Sequence, residues 1–145
     1  MCTVRASSTG RDGHPRRRAL VLVADDTTDV RDVYADYFTA LGLNVVTAPD
    51  GAAAFSTALR NRPDVIVMDL AMPRVDGITA IRNLKSDPRT RNVPVILLTG
   101  YPYKAIEEGV LEAGATVFLT KPCLPEDLAQ YVRRLIAKPR LDDAA

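Results

Sequence analysis

Five short apolar runs alternate with five helix-period segments along this chain, and that alternation restricts the possible folds more than any other feature. The runs are residues 19–24 (ALVLVA), 45–47, 65–68 (VIVM), 93–98 (VPVILL) and 116–119 (TVFL). They are rich in Val, Ile and Leu without polar alternation, the pattern of strands covered on both faces. Pro94 suits a strand start, where its missing N–H does little harm. Between the runs, Val30, Val33, Tyr34, Tyr37, Phe38 and Leu41 follow a helical stripe, as do Leu128, Val132, Leu135 and Ile136. The last helix opens with Pro125, Glu126 and Asp127, a proline and two acids where a helix start favours them. Weaker helical patterns lie near 51–61, 75–86 and 103–113, and Gly42 and Gly114 read as stops. Strand–helix alternation of this kind predicts a doubly wound α/β fold, a five-stranded parallel sheet of (βα)5 type.

Composition excludes several function classes. With 145 residues, 47% hydrophobic and 26% charged, the chain suits one globular domain. No apolar run approaches the roughly 20 residues of a membrane span, and the first 18 residues hold no apolar signal-peptide core. Cys2 and Cys123 cannot form a disulfide framework, so a cytoplasmic setting is expected. His14 is the one histidine, which removes most histidine-based catalysis and His-rich metal sites. The net charge of +1 conceals an asymmetry. Residues 1–18 carry five arginines against one aspartate, a net +4, while the rest carries 14 basic against 17 acidic groups, a net −3. Residues 1–18 are expected to be a disordered basic tail. No aromatic residue interleaves its arginines, so no nucleic-acid binding is expected of it.

In open parallel sheets the site lies beyond the carboxyl ends of the strands. The first predicted strand ends in Asp25-Asp26, the third in Asp69, the fourth in Thr99 and the fifth in Lys121. Converging carboxylates repel unless a cation compensates. Oxygen-only donors without His or Cys point to Mg²⁺ rather than zinc. Lys121 offers a compact positive charge and Thr99 a hydroxyl, both suited to a phosphoryl group. A carboxylate can itself be the nucleophile and form an aspartyl-phosphate. The residues thus describe a Mg²⁺-assisted, phosphoryl-accepting aspartate. Taken singly, each has a duller reading: Asp25 or Asp26 as a helix N-cap, Thr99 as a turn residue, Lys121 as a surface charge, Phe118 as core.

In these motifs the chain resembles the receiver domains of two-component response regulators, in their stand-alone, CheY-like form. The matching pieces are Asp25-Asp26 after ALVLVA, VIVMDLAMPRVDG around Asp69, DPRTRNVPVILLTG through Thr99, and AGATVFLTKP through Lys121-Pro122. Intervals of 43, 30 and 22 residues separate Asp26, Asp69, Thr99 and Lys121 in turn, as is typical of that family. The resemblance implies a flavodoxin-like strand order of 2-1-3-4-5 with a receiver over residues 19–138, and the short tail over 139–145 is too brief for an output domain, so none is expected. It implies that Asp69 is phosphorylated and that Asp25, Asp26, Asp69 and the Ala71 carbonyl serve the metal, Asp25 through water or indirect contacts. It further implies that Lys121 pairs with the phosphate or, without it, with Asp69, and that the Lys121–Pro122 bond is cis. Thr99 and Phe118 are then the switch that reshapes the surface of the fourth helix, fifth strand and fifth helix. The donor is a sensor histidine kinase or histidine phosphotransfer protein, docking on Val30, Val33, Tyr37 and Pro122, with Asp29, Asp36 and Cys123 beside them. On this reading the chain is a phosphoacceptor in signalling or a phosphorelay, not a free-standing enzyme.

Some positions depart from the family pattern. Thr27 stands where a third acid or an amide is frequent. Ala71 and Tyr101 flank the path of an attacking water, and a small Ala71 cannot orient it, so slow self-dephosphorylation is expected. The alternatives are a degenerate receiver that binds proteins without phosphorylation, a haloacid-dehalogenase-type phosphatase, and a nucleotide or flavin module. The phosphatase would want a second acid where Ala71 stands, and the nucleotide module a Gly-rich loop where Asp25-Asp26-Thr27 stands.

Overall fold

The computed structural model of the chain describes residues 18–100 and 104–137. The basic tail expected over 1–18 lies outside them except for Arg18, as do Tyr101, Lys138 and residues 139–145.

Ten elements alternate as the apolar runs require: β1 (Leu20–Ala24), α1 (Thr28–Ala40), β2 (Asn44–Ala48), α2 (Gly51–Asn61), β3 (Val65–Asp69), α3 (Gly77–Ser86), β4 (Val95–Thr99), α4 (Lys104–Ala113), β5 (Val117–Thr120) and α5 (Pro125–Ala137). The strands pair in parallel in the order β2-β1-β3-β4-β5, the expected doubly wound sheet. Strands β3 and β4 are buried along their whole length, which is why their sequences show no polar alternation.

Side chains alternate across the sheet and divide the core in two. Leu22, Ala24, Ile66, Met68, Val95 and Leu97 face Ala54 and Ala58 of α2, Ala80, Ile81 and Leu84 of α3, and Val110 of α4. Val21, Val23, Val65, Val67, Ile96 and Leu98 face Tyr34 and Phe38 of α1 and Leu128, Ala129, Val132 and Leu135 of α5. Each large aliphatic side chain fully removed from water contributes about 1.5–3 kcal/mol before entropy is counted.

The structure corrects several element bounds. The third helix begins at Gly77 rather than near 75, because Asp76 caps it by accepting from the Thr79 N–H at 2.8 Å. Val93 and Pro94 precede β4, where the Pro94 carbonyl accepts the Ile66 N–H at 3.0 Å. Val33, counted in the apolar stripe of α1, is instead 53% exposed. Gly42 and Gly114 end their helices at φ +91 and +118, as expected of stops in the left-handed region. No helix among the described residues is long and apolar enough to cross a membrane.

Gly77 is required by packing rather than by its backbone angle. A Cβ there would lie 2.8 Å from the Asp69 carbonyl oxygen and 2.9 Å from both the Leu70 Cα and a Leu97 methyl. Gly109, in α4, faces nothing within 4 Å. Gly77→Ala is therefore expected to destabilise the protein by about 1–3 kcal/mol through overpacking. Gly109→Ala is expected to stabilise it by roughly 0.5–1 kcal/mol through helix propensity. Urea unfolding monitored by circular dichroism measures both, and equal effects would contradict this packing.

Candidate functional site

Strands β1, β3 and β4 end on one edge of the sheet, and each delivers a polar side chain there. Asp25 follows β1 and is buried, with Asp26 exposed beside it. Asp69 closes β3, and Thr99 closes β4 with 1% exposure. One carboxylate oxygen from each of Asp25, Asp26 and Asp69 lies within 4.8 Å of the other two. Ligands of an octahedral Mg²⁺ stand about 3.0 Å apart when adjacent and about 4.2 Å when opposite, so the three oxygens would draw closer together around one hard cation. The donor set fits the ion that the sequence calls for.

Lys121 enters from the end of β5. Its Nζ lies 3.2 Å from Asp25 Oδ2 and 3.2 Å from Asp69 Oδ1. Its backbone N–H donates to the Thr99 carbonyl at 2.7 Å, which ties the two polar strand ends together. The Lys121–Pro122 peptide bond is cis, as the resemblance implied. Lys121 thus pairs with two carboxylates rather than with Asp69 alone. Burial pushes the Asp69 carboxyl above its ordinary pKa; Lys121 opposes that rise, while Asp25 and Asp26 reinforce it. Burial alone would lower Lys121, but attraction to Asp69 and Asp25 outweighs it and the ammonium is held above its ordinary value.

The N-cap readings of Asp25 and Asp26 fail. Thr27 caps α1, without a side-chain cap bond. Asp25 Oδ1 instead accepts the Thr27 N–H at 2.9 Å, and its carbonyl accepts from Arg31 Nη1 at 2.7 Å. Phe118 is half-buried against the core on the α2–α4 side. Ala71 is exposed two residues past Asp69, and Met72 packs in the core. A groove of about 400 Å³ runs between α1 and the β5–α5 loop, lined by Val30, Tyr34, Lys121, Pro122 and Cys123. Of the expected docking residues, Val30 and Pro122 line it, while Val33 and Tyr37 do not. Burial, helped by Asp127, raises the Cys123 thiol above its ordinary value.

Two interactions were not anticipated. The Tyr34 hydroxyl donates to the Cys123 carbonyl at 2.7 Å, joining α1 to the loop that carries Lys121. Asp50, at the start of α2, uses both carboxylate oxygens: Oδ1 accepts the Ala53 N–H at 2.8 Å and Oδ2 accepts from Arg74 Nη1 at 2.8 Å. Arg74 lies in the β3–α3 loop with φ +67. A left-handed backbone costs a non-glycine residue about 1–2 kcal/mol. The Arg74–Asp50 ion pair has one exposed partner, Arg74 at 76%, and one buried partner, Asp50 at 8%. Glycine would adopt this backbone without strain. The only sequence signal for Asp50 was its place before an Ala-rich helix; none existed for Arg74.

Comparison with known proteins agrees with this geometry. The family model for the response regulator receiver domain matches residues 21–133. The response regulator PleD of Caulobacter vibrioides is 45% identical over 116 residues, which cover 79% of this chain and 25% of PleD. The chain therefore spans about a quarter of that relative's length. Among solved structures, the chemotaxis response regulator CheY4 of Vibrio cholerae superposes with a TM-score of 0.77 at 29% identity, covering 82% of this chain and 99% of that one. The receiver domain of the sensor histidine kinase PA1611 from Pseudomonas aeruginosa, which has a magnesium ion coordinated in its active-site cleft, gives 0.77 at 30% identity, covering 84% and 100%.

The raised Asp69 pKa has a consequence for stability. Its folded-state pKa exceeds the unfolded value, so the stability it contributes is fully present below about pH 4 and is lost as pH rises through the folded pKa. At pH 7 the ionised Asp69 is a net cost to the metal-free protein. Asp69→Asn is expected to raise the urea midpoint at pH 7 in EDTA, with the advantage shrinking toward pH 3. A midpoint that falls at pH 7 would contradict this electrostatic account.

Proposed function

The chain belongs to the response regulator receiver domains, and from that membership we propose that it accepts a phosphoryl group on Asp69 from a phosphohistidine on a partner protein. The observation that carries this reading is the convergence of Asp25, Asp26 and Asp69 at one strand edge, with Lys121 bridging two of them. In the transfer, an Asp69 oxygen attacks phosphorus, an acyl-phosphate P–O bond forms, and the P–N bond breaks with its electron pair leaving on the imidazole nitrogen. Asp26, Asp69 and the Ala71 carbonyl hold Mg²⁺ on this reading, with Asp25 contributing beside them. When bound, that ion neutralises charge on the transferring phosphoryl group. Lys121 leaves one of its two carboxylates to meet the phosphoryl oxygens, and Thr99 donates its hydroxyl to them.

The donor is a sensor histidine kinase or a histidine phosphotransfer protein, since residues 18–137 contain no histidine. It docks over α1, on Val30, Val33 and Tyr37, and on Pro122 at the mouth of the groove. Val33 is among the exposed large apolar side chains, so it is accessible to a partner. Thr99 and Phe118 transmit the modification by moving together and reshaping the face formed by α4, β5 and α5. A complete shift of such a two-state element needs about 5.5 kcal/mol of differential stabilisation. A phosphoryl group held by Lys121, Thr99 and a divalent cation can supply that through charge-assisted contacts. The output is a protein–protein signal or onward transfer in a phosphorelay.

Incubation with acetyl phosphate or phosphoramidate and Mg²⁺, followed by intact mass, tests the reading. One added phosphoryl group is expected in the native protein, with none in Asp69→Asn and none in EDTA. Absence of any gain with either donor would instead indicate a receiver that works by phosphorylation-independent contacts. The phosphorylated form is expected to outlast that of fast chemotaxis-type receivers, as followed by decay of the added mass.

A further inference from the structure

The β3–α3 loop joins Asp69 to α3 and contains Ala71, so whatever fixes this loop also fixes two groups of the proposed metal site. Its internal bonds are few: the Val75 N–H donates to the Pro73 carbonyl at 2.8 Å and the Gly77 N–H to the Leu70 carbonyl at 2.9 Å. Beyond these, Leu70, Met72 and Val75 pack on the core, and the charged tie is the Arg74 guanidinium on Asp50, whose side chain is only 8% exposed and already anchored by capping α2. The loop also lies against the start of α2, where a Cβ on Gly51 would run into the Val75 carbonyl. The loop is thus seated on the α2 N-terminus by one close backbone approach and one charged hydrogen bond.

Arg74 occupies a left-handed backbone position that glycine would adopt without strain. Its ion pair joins an exposed guanidinium to a buried carboxylate. Strain retained beside a functional site, with a specific partner for the side chain, points to a task in that site. We propose that Arg74, through Asp50, is a positioning residue for the phosphoacceptor loop, holding the Ala71 carbonyl and Asp69 in the arrangement that binds the divalent cation. This inference rests on the metal-dependent reading above and adds to it a residue remote from the carboxylate cluster. Arg74 touches neither the cation nor the phosphoryl group; it acts through the loop.

Arg74→Gly removes the guanidinium while relieving the backbone, so it separates positioning from stability. The full chain is titrated with Mg²⁺ by calorimetry, its unfolding is followed in urea, and backbone amide exchange is measured in EDTA. Arg74→Gly is expected to unfold no earlier than the native protein, yet to bind Mg²⁺ about tenfold more weakly, the usual effect of losing a group that orients a metal ligand. The Val75 and Gly77 amides are expected to exchange faster. Arg74→Lys, which keeps the charge, should recover part of the affinity. Asp50→Asn keeps a competent helix cap and should weaken Mg²⁺ binding as Arg74→Gly does, with the double variant no worse than either single one. Mg²⁺ affinity within twofold of native in Arg74→Gly, or unchanged amide exchange, would overturn the proposal. A native protein that binds no Mg²⁺ would refute the metal-site reading instead, and the amide exchange would still decide whether Arg74 holds the loop.

Discussion

Lys121 stands between two buried carboxylates, and the rest of the structure can be understood as the means of keeping it there. Asp25 and Asp69 are both nearly sealed from water, and burying a charge is costly unless a partner compensates it. The ammonium, 3.2 Å from each, is that partner. It arrives from the edge strand of the sheet, so its position depends on β5 pairing with β4 and on the backbone bond from Lys121 to Thr99. The carboxylates depend in turn on β1 and β3, the two central strands that neighbour one another. A sheet with a different strand order would separate these charges and leave each without its counterweight.

The electrostatic balance is incomplete, and that incompleteness is useful. One lysine faces three carboxylates, so Asp69 keeps a raised proton affinity while Lys121 is held fully charged. The cleft carries a surplus of negative charge that a divalent cation can neutralise. A site in perfect balance would have little affinity for a cation. The same surplus disfavours phosphate unless the metal is present, which makes cation and phosphoryl group mutually dependent.

The element order was readable because the two-sided burial of a parallel sheet writes unbroken apolar runs into the sequence. All five runs became strands, and Gly42 and Gly114 stopped their helices as glycine in the left-handed region should. Bounds were less readable: a local capping bond to Asp76 moved the start of α3, and Pro94, with no N–H to give a ladder, stayed outside β4. The carboxylate cluster was legible because each member closes a strand or directly follows one. What escaped were the long-range pairs. Tyr34 looked like one more apolar stripe member, yet its hydroxyl meets Cys123 across 89 positions. Arg74 looked like a loop charge, yet it meets Asp50. Neither pairing has a local pattern, since only the packed arrangement of α1 on the β5–α5 loop and of α2 on the β3–α3 loop brings the groups together.

The register of the sheet carries an evolutionary implication. Asp69 pairs with Leu98 and Thr99 with Thr120, so the polar groups stand at fixed counts from the first residue of each strand. Exchanging one aliphatic residue for another inside β3 or β4 alters volume but leaves those counts intact. Gaining or losing a single residue inside either strand would turn the terminal side chain to the opposite face and shorten or overshoot the cleft. Sequence drift in this interior is therefore open to substitution and closed to length change. Length changes are better tolerated in the connections at the far edge of the sheet, away from the carboxylates.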